Sequence, residues 1–357
     1  MLKYLSITIL FFLISSQTFA QLDFSKPTSQ PHPILLKMDS AILANQYEQI
    51  TSVLIAQHGK VLFEKYYNGS TETTTHNTRS ATKTLATLLT GIAINKGFIQ
   101  SEQDKIFQYL THKMPVKNPD ARKQDITLED LLSMSAILEC NDFNSFSRGH
   151  EERMYVIEDW TGFYLDLPIR SYPFEPAPKD QPYGRSFSYC SAGAATMAEI
   201  LQVAVGKKLD QFAKEALFEP LKITDYQLDF TPSNLLNTAG GSQYQSRDLL
   251  KLIQLCLNQG QWNDEQILPA FWVQKATTPK ANVFEGMDYG YFFWLKDFGP
   301  NQSYKAFYMS GNGGQKVLAI PALEVSLVIT TTNYGNRKAH DYMDEMINRF
   351  ILPAVAQ

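Results

Sequence analysis

Ser80 and Lys83 stand three residues apart in Arg79-Ser80-Ala81-Thr82-Lys83-Thr84-Leu85, where an apolar run begins. On a helix, that spacing puts both side chains on one face, with β-carbons about 5–6 Å apart. A serine hydroxyl attacks a carbonyl well only when a base takes its proton. A desolvated lysine can be that base, because burial favours its neutral form. A helix N-terminus under the serine adds positive potential and N–H donors for a developing oxyanion. This is the one Ser-x-x-Lys in the chain. Taken alone, it also fits a surface serine and lysine on an amphipathic helix. Two downstream segments give it company. Ser186-Phe187-Ser188-Tyr189-Cys190-Ser191-Ala192-Gly193 puts a tyrosine ahead of a small-residue helix start. Phe307-Tyr308-Met309-Ser310-Gly311-Asn312-Gly313-Gly314-Gln315 puts a glycine-rich turn beside a strand. Glycines there let a substrate approach the backbone and leave N–H groups free to donate. Read singly, Tyr189 fits a core aromatic and 311–314 a hairpin turn. The order of the three segments, about a hundred residues apart, is what suggests one site.

The elements that must hold these residues follow from periodicity. Leu35 to Tyr47 is spaced as a helix. Thr51–Gln57 and Lys60–Tyr67 read as strands joined by a His58-Gly59 turn. A helix is expected over Ala81 to Asn95, ended by Gly97. Another starts at Thr127, with Thr127 as cap and Asp130 as the acidic third residue. From about 135 to 190 the pattern is irregular and aromatic, with Tyr155, Trp160, Phe163, Tyr164, Tyr172 and Phe174. These residues fit either a lobe core or a cleft lining. Helices follow over Ala192–Val205 and around 246–257. Strands are expected at 290–295, 305–309, 316–320 and 325–330, then a helix over 338–351. The expected fold is α+β: a body (34–134 and 240–357) whose sheet is completed by both ends of the chain, interrupted by a mainly helical lobe (135–239).

Composition bounds the function. Of 357 residues, 44% are hydrophobic and 19% charged, an ordinary globular balance. A net charge of −4 argues against nucleic acid as partner, because binding phosphates needs a basic surface. GxSxG, HExxH, P-loop and GxGxxG patterns are missing, and the six histidines are scattered without ligand spacing, so neither a metal nor an organic cofactor is expected. Met1-Leu2-Lys3, the apolar run through Ile14 and Thr18-Phe19-Ala20 have the order of a secretory signal, with cleavage expected after Ala20. The run is short for a bilayer span, so no membrane span is expected once it is removed. Residues 21–33, with three prolines, read as an extended leader. A periplasmic or secreted protein is the expectation. Cys140 and Cys190 can form a disulfide in such a compartment or remain free, while Cys256 lies in an apolar helix.

With these motifs the chain resembles the serine β-lactamase-like hydrolases: class C β-lactamases, D-alanyl-D-alanine peptidases, related esterases and 6-aminohexanoate-dimer hydrolase. The resemblance spans about 35–352 and implies a β-lactamase/transpeptidase-like fold, an antiparallel sheet flanked by helices plus an inserted lobe. It implies Ser80 as acylated nucleophile, Lys83 as its base partner and Tyr189 as the tyrosine of a Tyr-x-Asn motif that passes the proton to the leaving group. The Asn position reads Ser191. In the third motif, one register puts Tyr308-Met309-Ser310 in place of Lys-Thr-Gly, with the Gly311 N–H as oxyanion donor. A second uses Gly311-Asn312-Gly313, with Gly314 as donor. Both lack the family's cation for a substrate carboxylate. Ser191, Tyr308, Ser310, Gly311 and Asn312 are therefore candidate substrate-binding residues. The expected activity is an exported serine hydrolase cleaving an ester or amide bond in a small-molecule or peptide-like substrate. β-Lactamase or D-alanyl-D-alanine peptidase activity, and a non-catalytic cell-wall or peptide-binding protein, are the alternatives.

Overall fold

A computed structural model describes residues 22–24, 30–171 and 177–356. The expected signal segment, parts of the leader, and Tyr172 and Phe174 lie outside the described residues. The main sheet has eight strands: β1 (Ile50–Gln57), β2 (Lys60–Tyr66), β3 (Ala281–Phe284), β4 (Met287–Tyr289), β5 (Trp294–Phe298), β6 (Tyr304–Gly311), β7 (Gln315–Ile320) and β8 (Val325–Thr331). Their spatial order is β2-β1-β8-β7-β6-β5-β4-β3, and every neighbouring pair is antiparallel. The hairpin at His58-Gly59 forms because both residues take positive φ, 50° and 74°. The other edge of β1 pairs with β8, putting Val53 opposite Ile329 and Ile55 opposite Leu327. The two ends of the chain thus meet within one sheet, as its second and third strands.

The helices that bear on the site are α1 (Pro33–Leu43), α2 (Lys83–Asn95), α3 (Leu128–Leu132), α4 (Glu151–Met154), α5 (Trp160–Asp166), α6 (Ser191–Val205), α7 (Ser246–Leu257) and α8 (Ala339–Met346). Strand β1 is buried along nearly its whole length, so its alternate side chains feed two cores. Val53, Ile55, Leu327 and Ile329 join Leu35, Met38 and Ile42 of α1 and Met343 and Met346 of α8. Leu54, Ala56, Val317 and Val328 face the other way, toward the core that holds Leu85, Leu88 and Leu89 of α2.

Helix α2 is buried from Lys83 through Ala93. A helix enclosed on all sides must satisfy its polar groups internally. Its threonines do so: Thr84 Oγ1 donates to the Phe292 carbonyl at 2.8 Å and Thr87 Oγ1 to that of Tyr291 at 2.7 Å. Gly91 allows close packing, since a Cβ there would lie 2.2 Å from Cδ1 of Trp272. These bonds also explain a departure from the strand expected at 290–295. Tyr291 and Phe292 serve α2 with their carbonyls, Phe292 turns to φ 51°, and pairing with β6 starts only at Trp294. The capping box at Thr127 and Asp130 is formed as read from the sequence. Trp160 and Tyr164 of α5 are buried in the core, which settles their role as packing residues.

Candidate active site

Ser80 lies in a 3₁₀ turn, Arg79–Thr82, that runs directly into α2 at Lys83. Several bonds fix this turn. The Thr78 N–H and Oγ1 both donate to the Ser242 carbonyl, at 3.1 and 2.9 Å. The Arg79 N–H donates to Asn77 Oδ1 at 2.9 Å, and Arg79 takes a positive φ of 51°. Its guanidinium lies 4.0 Å from the ring centroid of Tyr334. A non-glycine residue at positive φ immediately before the nucleophile candidate is backbone strain held in place by its surroundings.

Lys83 is 1% exposed. Its Nζ donates to Ser80 Oγ at 3.0 Å and to the Ala239 carbonyl at 2.6 Å. It also lies 5.0 Å from the ring centroid of Tyr189. Tyr189 is nearly buried, stacked on Phe143 with centroids 5.1 Å apart and planes 4° apart, and flanked by Trp294 at 5.8 Å. The three sequence candidates Ser80, Lys83 and Tyr189 therefore converge from segments far apart in the chain. Tyr189 is held by the residue that follows it: Cys190 caps α6 and is bridged to Cys140, so the pairing left open by the sequence is made.

A cleft of about 450 Å³ opens over Ser80, lined also by Tyr189, Tyr308, Ser310, Gly311 and Asn312. Gly311 ends β6 against the nucleophile turn. A Cβ there would lie 2.2 Å from the Thr78 carbonyl oxygen, so only glycine permits this approach. The Gly314 N–H donates to the Gly311 carbonyl at 3.2 Å, and a Cβ at Gly314 would meet Ala339 instead. That geometry disfavours Gly314 as the donor and leaves the register built on Gly311. Asn312 Oδ1 accepts the Gly335 N–H at 2.8 Å, so this side chain ties down the loop bearing Tyr334. Tyr308 is buried and its hydroxyl donates to Met287 Sδ at 3.3 Å. Ser191 does not line the cleft. It is fully buried, its N–H donates to Asp142 Oδ2 at 2.7 Å, and its Oγ donates to Glu151 Oε2 at 2.9 Å.

Several lining residues were not singled out by the sequence reading. Asp142 and Glu151 form a carboxylate pair on the lobe side, and Phe143, Phe284, Met287 and Trp294 supply apolar surface. The signal for Asp142 was its place two residues after Cys140. Lys316 on β7 is directly opposite Ser310 on β6 and also lines the cleft. A lysine inside an apolar strand run is itself a signal, since buried lysines need a partner. The third motif thus lacks a cation in its own triplet, but the neighbouring strand brings one. It is committed to Asp344, which Lys296 also contacts at 2.5 Å. Burial works to raise the Asp344 carboxyl, but Lys316 and Lys296 outweigh it and hold the group below the usual carboxylate range. His340, beside them, is pushed down by burial and by Lys316, toward its neutral form.

A Ser-x-x-Lys pair at a helix start with its lysine buried and its serine open to a cleft, a tyrosine over the lysine and a glycine-ended strand beside the serine define a serine-hydrolase type of site on an antiparallel sheet. The sequence profile of the Beta-lactamase family matches residues 44–348, and the chain belongs to that family. No curated protein matches it by sequence. Among solved structures it is similar to EstCE1, a hydrolase with promiscuous acyltransferase activity, at 16% identity and TM-score 0.67, covering 91% of this chain and 97% of that one. A penicillin-binding protein homolog from Caulobacter crescentus gives 15% identity and TM-score 0.66, covering 90% and 98%. A D-stereospecific amidohydrolase from Streptomyces gives 14% identity and TM-score 0.64, covering 87% and 98%. These likenesses show a shared fold.

Proposed function

We propose that the chain is an exported serine hydrolase that cleaves an ester or amide bond through an acyl-enzyme on Ser80. The observation that carries this reading is the 3.0 Å contact between the buried Lys83 Nζ and Ser80 Oγ at the floor of the cleft. With Lys83 neutral, the same contact passes the Oγ proton to the Nζ lone pair. The Oγ electron pair then bonds to the substrate carbonyl carbon, and the carbonyl π pair moves to oxygen. The N–H groups of Ser80 and Gly311 are the donors assigned to that oxyanion. As the tetrahedral centre collapses, the bond to the leaving alcohol or amine breaks. The leaving group takes the proton held by Lys83, with Tyr189 as the relay. Water then repeats the sequence on the ester, releasing the acid and restoring the Ser80 hydroxyl.

The apolar wall of Phe143, Phe284, Met287 and Trp294 supports a substrate with an apolar portion next to the scissile carbonyl. Lys316 is already paired with Asp344, which fits a substrate without an obligatory carboxylate. The signal-like residues 1–20 and the Cys140–Cys190 bridge support export to an oxidising compartment. The test is intact-mass spectrometry after exposure to a fluorophosphonate. A single phosphonyl adduct on wild type that is lost in Ser80→Ala is expected. No adduct on wild type, or equal labelling of the variant, would defeat the reading.

A further inference from the structure

When Ser80 gives its proton to Lys83, an ammonium forms at a side chain that is 1% exposed. Creating a charge there is costly unless an opposite charge already stands near it. Asp142 lines the same cleft as Ser80 and Tyr189. Burial raises the proton affinity of its carboxyl, and Lys83 is the strongest charge opposing that rise. Glu151 pushes the other way.

The Asp142 carboxylate is also fixed in place. Oδ2 accepts the Ser191 N–H at 2.7 Å, and Oδ1 accepts the Glu151 N–H at 2.9 Å. The Asp142 N–H donates to the Tyr189 carbonyl at 2.7 Å. The disulfide clamps both strands of this contact, since Cys140 lies two residues before Asp142 and Cys190 lies between Tyr189 and Ser191. The groups around Asp142 are Glu151 from α4, Tyr155 just after α4, Ser191 at the start of α6, and Tyr189, which is bonded to the Asp142 N–H and whose ring lies 5.0 Å from Lys83 Nζ, so that Lys83 acts on the Asp142 carboxyl across this one residue. Lys83 is the one cation among them.

We propose that Asp142 is a positioning residue of the acylation step: the fixed counter-charge toward which the Lys83 ammonium forms as Ser80 attacks. It takes no proton and touches no substrate atom in this role. Its contribution is preorganised charge, the part an aspartate plays behind the base in a serine triad. The inference rests on the hydrolase reading above.

The test is single-turnover acylation by p-nitrophenyl acetate, a neutral ester, measured across pH in wild type, Asp142→Asn and Asp142→Glu, with thermal melting of each. For Asp142→Asn, the plateau acylation rate is expected to fall about 100-fold. Its acid limb is expected to move to lower pH, because the ammonium has lost its stabilising charge. Asp142→Glu keeps the charge on a longer arm, so its plateau should fall while its acid limb stays in place. This variant also carries the test if Asp142→Asn does not fold. An acid limb unmoved in Asp142→Asn, or displaced in Asp142→Glu, would overturn the proposal, as would a rate loss that only tracks loss of folded protein. Wild type that is not acylated at all would instead sink the hydrolase reading, and this inference with it.

Discussion

Lys83 Nζ lies 3.0 Å from Ser80 Oγ, and the Ala239 carbonyl, 2.6 Å from the same nitrogen, holds it there. The side chain is too buried for solvent to aim it, so Ala239 does so. Lys83→Met removes the amine and keeps much of the stem. Acylation of Ser80 should fall by about 10²–10⁴-fold, the usual range for a lost general base. The melting temperature should hold or rise, because a buried amine is replaced by an apolar group. Stopped-flow acylation and thermal melts check both outcomes, and full activity would remove Lys83 from the base role.

Tyr189 combines a packing role with a chemical one. Its ring is stacked on Phe143 and flanked by Trp294 and Phe187. Tyr189→Phe keeps that stack and deletes only the hydroxyl. The expected outcome is a drop of about 10²-fold or more in turnover, with less than about 1 kcal/mol lost from urea denaturation. Turnover within twofold of wild type would reassign Tyr189 to the core.

The Cys140–Cys190 bridge closes a loop with a sequence separation of 50. Chain-entropy estimates for such a loop give about 4 kcal/mol, with measured bridges commonly at about 2–4 kcal/mol. The double variant Cys140→Ser, Cys190→Ser should lose stability in that range. It should also lose activity, because the bridge holds Tyr189. Thiol counting offers a second check. Burial pushes the Cys256 thiol up to about 12, so alkylation should label nothing in the native protein and one thiol after denaturation without reductant.

His76 sets an acid limit on stability. It is buried beside Thr51, with Nδ1 3.2 Å from Thr51 Oγ1, and burial lowers its pKa from 6.5 to about 4. As pH falls, the unfolded chain takes up this proton before the folded one. The associated stability is whole above about pH 6.5 and is lost as pH falls toward about 4, a loss of about 3 kcal/mol over the window. Urea midpoints at pH 7, 5.5 and 4.5 should show a shallower decline in His76→Gln than in wild type. Parallel declines would place the acid sensitivity elsewhere.

The residues legible in the sequence are those whose meaning is local. The Ser80–Lys83 spacing depends on one helical turn, the Thr127–Asp130 box on four consecutive residues and the His58-Gly59 hairpin on two positive φ angles. The short, nearly continuous apolar runs of β1, β7 and β8 likewise read directly as buried strands. The same local logic misplaced 290–293, because only the packed helix α2 reveals that the carbonyls of Tyr291 and Phe292 are taken by threonine hydroxyls.

What the tertiary structure alone decided is which side chains face the cleft. The carbonyl that aims Lys83 lies 156 residues away in Ala239. Lys316 reaches the site because strand pairing sets it across from Ser310, and Asp344 of α8 then masks its charge. Ser191 fits the motif by position, yet it turns inward to Asp142 and Glu151. A side chain's direction, burial and charge partner come from the segments packed against it. The sequence by itself determined the chemical parts and the elements that carry them. Their aim, and the carboxylates that surround them, came from long-range packing.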